Sequence, residues 1–346
     1  MAQGNTYHQP RLFIEEIEVQ GAISGSVSFP GNNQINTLSV SIVDVPFQNY
    51  SLSGKRVKFY LNNGSEDSLP FFSGNITDFV PSDNGVKLTC HDPRSFISGK
   101  SGRRLILTDK DNYDGFSIGA FLHDNILNKI NITETIIGLD MLNDTSPIYN
   151  LSSVRGERTI YEIAVDAIGK VIDTDTDFLN PLGYFFDIIE GNSGAQLVIM
   201  KEKILTSSPS IIYSYADGLI DYKYKRLIPP NTAVYKGGEF IYTNRPTGSN
   251  VIQISSSEEK SRAEIRNIAI KQILLENQQR DEITITVMNG YDIGLSSIVH
   301  LDVDDIDIRG NHRLVGKNIT FGNSLNCQLK LNKKPIKVSD YMGRIK

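Results

Sequence analysis

Four carboxylates within six residues, Asp302, Asp304, Asp305 and Asp307, form the densest cluster of potentially reactive groups in the sequence. Oxygen ligands this close could hold a hard cation, although such sites draw ligands from a turn or from several elements. Asp302 and Asp304 alternate with Leu301 and Val303, which puts them on the strand face opposite the core. The simplest reading is therefore a solvated strand face. A third reading is a negatively charged wall that a polyanion passes without sticking, because basic residues are what grip phosphate.

The other candidates for chemistry are weaker. His91-Asp92 follows a strand and reads as a strand-end turn, and His123-Asp124 lies on a helix, where neighbours in sequence do not share a face. Asp173, Asp175 and Asp177 open like a calcium loop, but Phe178 and Tyr184 stand where its glycine and final glutamate belong. The histidines lack metal-ligand spacing, and neither a nucleophile-elbow motif nor a phosphate-cradling loop occurs. Cys90 and Cys327 each sit in an alternating apolar run and read as buried small hydrophobes. Tyr213, Tyr215, Tyr222 and Tyr224 alternate as strand residues with packed rings. The residues point to no cofactor, no metal and no enzyme.

Bulk properties agree. A chain of 346 residues predicts two or three domains. With 39% hydrophobic and 22% charged residues, and a net charge of −5, it is an ordinary globular composition without a basic surface for nucleic acid. Neither a signal core nor an apolar run of membrane-spanning length is present, so membrane insertion is not expected and assembly in a reducing cytoplasm is.

The elements that must position these residues are mostly strands. Residues 11 to 92 alternate apolar and polar positions between turn signals such as Pro30-Gly31-Asn32-Asn33 and Asp83-Asn84-Gly85. Helical periodicity appears at Ser117 to Ile130, after the capping box Thr159 to Glu162, and from Ser255 onward, with the last helix near 258–279. Tyr184 to Ile189 and Gln196 to Met200 read as a hairpin. The final stretch returns to strands. Its pattern resembles the first block: Val57, Phe59 and Leu61 match Val299, Leu301 and Val303, and Val86, Leu88 and Cys90 match Cys327, Leu329 and Leu331. Between them Gly74-Asn75-Ile76-Thr77 parallels Gly316-Lys317-Asn318-Ile319-Thr320 with one inserted residue.

This order of blocks resembles the baseplate or tail hub proteins of contractile phage tails and related injection systems, the late-control-D type. The resemblance is carried by Leu38 to Asp44, Gly54 to Phe59, Phe72 to Ile76, Val86 to Asp92, the serines near Ser255 and the segment Gly294 to Leu331. It implies a mainly β chain with two tail-tube-like barrels and a small inserted α+β domain. The expected bounds are 1–98 for the first barrel, 99–215 for the insertion, which can lend strands to the barrels, and 216–346 for the second barrel. It also implies a non-enzymatic hub of the virion tail or baseplate. Such a homotrimer adapts a six-fold tube to a three-fold spike, with tube, spike or needle, tape-measure and other baseplate proteins as partners. DNA would be met only in transit, and the Asp302 to Asp307 cluster would line the channel. Because the last strand is followed closely by Lys346, the spike is expected on a separate chain. The rival readings are a host-binding tail module for surface carbohydrate and a tail-associated cell-wall hydrolase.

Overall fold

The computed structural model describes residues 10–96, 104–107, 156–159, 184–201, 208–226, 232–243, 251–256 and 281–332, with short gaps inside these ranges. The helices expected from Ser117, after Thr159 and near 258–279, along with His123, Asp124 and Asp173 to Asp177, lie outside the described residues.

The chain is mainly β, as its alternation predicts. In the first block the strands are β1 (Arg11–Ile14), β2 (Ile17–Glu18), β3 (Ala22–Phe29), β4 (Thr37–Val43), β5 (Arg56–Tyr60), β6 (Phe72–Ser82) and β7 (Gly85–His91). Short strands β8 (Arg104–Leu107) and β9 (Gly156–Thr159) pair with each other, and β10 (Tyr184–Gly191) with β11 (Gly194–Lys201) forms the expected hairpin. Then come β12 (Ile211–Tyr213), β13 (Leu219–Arg226), β14 (Thr232–Gly237), β15 (Phe240–Thr243) and β16 (Val251–Ser256). The last block holds β17 (Asp281–Val287), β18 (Ile298–Val303), β19 (Ile308–Phe321) and β20 (Asn326–Leu331). One expectation is corrected here. Ser255 and Ser256 end strand β16, paired in parallel with Lys236 and Gly237 of β14, and do not begin a helix.

Thirteen strands form one curled sheet, which runs β13-β17-β20-β19-β3-β4-β7-β6-β5-β1-β2 with β18 and β12 branching from β19. Within it the same five-strand order occurs twice, β5-β6-β7-β4-β3 and β18-β19-β20-β17-β13, antiparallel throughout. The correspondence holds at the residue level. Leu88 pairs with Val40 and Phe79, and its counterpart Leu329 pairs with Ile285 and Lys317. The register of β6 shifts between Ile76 and Asp78, and that of β19 shifts between Leu314 and Gly316. These two bulges take the same place. The Ile76 amide donates to the Lys55 carbonyl at 2.9 Å, and the Leu314 amide donates to the Ser297 carbonyl at 2.9 Å, again at matching positions.

The flanking strands match as the sequence pattern predicts, with Val57, Phe59 and Leu61 equivalent to Val299, Leu301 and Val303. The glycine motif does not. Gly74 pairs with Val57 and His312 pairs with Val299, so His312 is the counterpart of Gly74, while that of Gly316 is Asp78.

The two halves meet where β3 pairs with the C-terminal part of β19, Val27 opposite Ile319 and Phe29 opposite Lys317. Gly31, at φ +69°, leaves β3 so close to β19 that a side chain there would run into the Val315 carbonyl. One continuous core lies beneath both halves. The rings of Phe59 and Phe321 stack across it with centroids 4.5 Å apart.

Candidate functional surface

Asp302 and Asp304 stand on the exposed side of β18, while Leu301 and Val303 beside them are buried, as the alternation requires. The hairpin to β19 sets Arg309 opposite Asp302. Its Nε lies 3.1 Å from Asp302 Oδ1, and its Nη2 donates to Asp304 Oδ1. Two carboxylates of the cluster therefore share a guanidinium at the surface. Asp305 and Asp307 lie outside the described residues. Among the described residues no group of His, Cys, Asp and Glu is disposed to hold a metal ion.

The His91-Asp92 pair separates as its strand alternation dictates. Asp92 is buried and accepts from the Asn36 amide at 2.8 Å, the Arg94 amide at 2.9 Å and the Arg94 guanidinium at 2.6 Å. This carboxylate closes the end of the first block, not a catalytic dyad. Lys317 is equally structural. Its Nζ donates to the carbonyls of Tyr291 at 2.6 Å and Ile293 at 2.9 Å and lies 4.7 Å from the Phe29 ring centroid. Both thiols are buried, and desolvation pushes Cys90 up to about 12 and Cys327 up to about 11, which keeps them protonated at neutral pH. Tyr213 is fully buried and donates its hydroxyl to the Asn289 carbonyl at 2.9 Å, and burial raises its ionisation as well. Tyr222 and Tyr224 pack against the core from β13, and Tyr215 stands exposed on a short 3-10 turn.

The largest organised surface is the face of the sheet opposite the core. Cross-strand registers join its side chains into rows. One row runs Asp221, Thr286, Gln328, Asn318, Ser28, Thr37, His91, Asn75. The next runs Asn326, Thr320, Ser26, Ser39, Thr89, Asp78, and a third runs Ser24, Ser41, Lys87, Val80. Hydroxyls and amides dominate these rows. The lysines near their ends, Lys87, Lys223, Lys225 and Lys330, are offset by Asp78, Asp221 and Glu282, with Lys225 Nζ 3.8 Å from Glu282. Such a face offers hydrogen bonds to water and little net charge. It lacks the basic stripe that a nucleic-acid grip requires. The sequence analysis did not single it out, although the signal was present in Ser24-x-Ser26-x-Ser28, Ser39-x-Ser41 and Thr284-x-Thr286.

A sheet this long, built from a repeated five-strand unit, has counterparts among solved structures. A tail protein from Neisseria meningitidis superposes with a TM-score of 0.66 at 13% identity, over 96% of this chain and 99% of that one. The 43 kDa tail protein of prophage MuSo2 from Shewanella oneidensis gives 0.65 at 12% identity, over 97% and 98%. The chain has the fold of these tail proteins. An Escherichia coli type VI secretion component, itself similar in structure to the T4 tail proteins gp27 and gp5, follows at 0.55 and 9% identity, over 93% and 76%. No family model matches the chain, and no curated protein matches it by sequence.

Proposed function

We propose that this protein is a structural hub of a phage tail or baseplate, a non-enzymatic adaptor between a six-fold tail tube and a three-fold spike. The observation that carries the reading is the five-strand unit that occurs twice in one continuous sheet. Three chains built this way present six like units around an axis, and a closed ring of repeated interfaces is the economical use of such a duplication. The likeness to tail proteins over nearly the whole chain supports the same placement.

In this reading the partners are a second and third copy, the tube protein, a spike or needle, and the tape-measure and other baseplate proteins, in a virion tail assembled in the host cytoplasm. Residues 1–98 and 216–346 carry the two tube-like units, and 99–215 the insertion. The pairing of β12 with β18 makes residues 211–213 a strand lent by the insertion to the second unit. The polar sheet face forms the wall past which DNA moves. The Asp302, Asp304, Asp305 and Asp307 hairpin adds an acidic border to that channel.

The test is assembly. Mass photometry of the purified chain, alone and with the tube and spike proteins of its own cluster, is expected to give trimers that bind both neighbours. A chain that stays monomeric in every mixture would sink the reading.

A further inference from the structure

The two five-strand units are equivalent, but their outer edges are not equally covered. After its bulge β19 is paired on both sides, by β20 and by β3, and Gly316, Lys317 and Ile319 are buried. The matching stretch of β6 pairs with β7 alone among the described strands, and Asp78, Val80 and Pro81 are exposed, Val80 by 55%. On the other side, β3 has both edges filled by β4 and β19, and Val27 is fully buried. Its counterpart β13 pairs with β17 alone among the described strands, and Ile220, Lys223 and Lys225 are exposed. The sheet therefore ends in two edges that match the two sides of its own internal junction. Long exposed edges with apolar residues are templates for pairing with another chain.

We propose that a second copy of this chain adds β13 to the edge of β6, residues 78–82, in the register that β3 and β19 use within one chain. The residue equivalences fix that register. Phe79 corresponds to Lys317 through Leu88 and Leu329, and Arg226 to Phe29 through Asn36 and Asp281. Transposing the pairs of β3 and β19 sets Phe79 opposite Arg226, Val80 opposite Lys225, Pro81 opposite Tyr224 and Ser82 opposite Lys223. Within the chain the Lys317 ammonium covers the Phe29 ring. Between chains the same cation and aromatic pairing of residue types recurs with the roles exchanged. Asp78 stands diagonal to Lys225 on the polar face, within reach of opposite-charge pairing. Pro81 has no N–H to offer, and a proline is tolerated on an edge strand while it penalises indiscriminate pairing.

Because the two edges differ, the contact is head-to-tail. Such contacts close into rings or run on as filaments. Closure at three copies rests on the hub reading above; the edge pairing does not.

The experiment is disulfide trapping in the full chain. Val80→Cys with Lys225→Cys is oxidised gently and run without reductant, with Asp78→Cys/Lys225→Cys as the out-of-register control. The native thiols are buried and stay out of the exchange. The expected product is a covalent ladder ending at trimer, at least tenfold more than in the control, while Val80→Cys mixed with Lys225→Cys chains stops at dimer. A second arm uses Val80→Lys, which faces Lys225 with a like charge and is expected to weaken association at least tenfold in mass photometry. Adding Lys225→Glu is expected to restore it. Either the trapped ladder or the charge-swap rescue supports the proposal. Assembly that shows neither overturns this interface and leaves the hub reading standing; absence of any assembly overturns both.

Discussion

Asp92 and Arg94 meet where water does not reach, with side chains 2% exposed and 2.6 Å apart. Taking one partner away leaves a buried charge without compensation, a loss of about 3–5 kcal/mol. Arg94→Met is therefore expected to lower the unfolding free energy by roughly that much in urea titration. Arg309 makes the opposite case, since it spans Asp302 and Asp304 in solvent at 64% exposure. Arg309→Ala is expected to change stability by less than about 1 kcal/mol. Thermal melts of the two variants side by side check the contrast. The thiols give a pH signature. Burial raises Cys90 to about 12, above an unfolded value near 8.5. The folded state thus holds a proton that the unfolded chain releases, so this contribution is complete below about pH 8.5 and is lost as pH rises toward 12. The slope is about 1.4 kcal/mol per pH unit for each such thiol. Unfolding midpoints measured from pH 8 to 11 are expected to fall less steeply in Cys90→Ala than in the unaltered chain.

Leu88 and Leu329 occupy matching places in β7 and β20, and both are fully buried. Each stands between two strands of its own half over one shared core. Leu88→Ala and Leu329→Ala are each expected to cost about 2–5 kcal/mol and to shift the same cooperative transition. Two separate transitions, each moved by one variant only, would show that the halves unfold independently. This element pairing was partly legible in the sequence. The period-2 pattern of β5 and β18, and of β7 and β20, lines up residue for residue because a buried face forces alternation. The glycine motif misaligned for a physical reason. Gly74 lets β6 pass close to the His91 carbonyl, whereas Gly316 follows the bulge of β19, so one residue type serves two positions. Ser255 misled in a similar way, since serine suits a helix cap and a strand end alike, and the parallel pairing to β14 decided between them. The Ser and Thr rows went unremarked because small polar residues on a strand look like ordinary solvated face until neighbouring registers are known.

At the scale of the molecule, the question is what a continuous, nearly neutral hydroxyl face does beside a polyanion. Association with DNA is driven by counterion release, which needs ammonium or guanidinium groups against phosphate. On this face Thr320, Ser26 and Ser39 form one row across β19, β3 and β4, with Gln328 in the row beside it. The unaltered chain is therefore expected to bind duplex DNA more weakly than about 10⁻⁴ M at physiological salt, the lower bound of ordinary non-specific binding. Replacing Ser39, Thr320 and Gln328 by lysine leaves the core side of each strand untouched and adds three cations to the face. Fluorescence anisotropy on a duplex is then expected to show binding whose log K falls with log salt by about 0.9 for each phosphate engaged. The separation of Ser39 from Thr320 by one intervening strand, roughly 9–10 Å, lets both reach the same duplex. Strong, salt-dependent binding by the unaltered chain would mean that some basic surface outside this face captures DNA, and the wall of the proposed channel would have to be sought there.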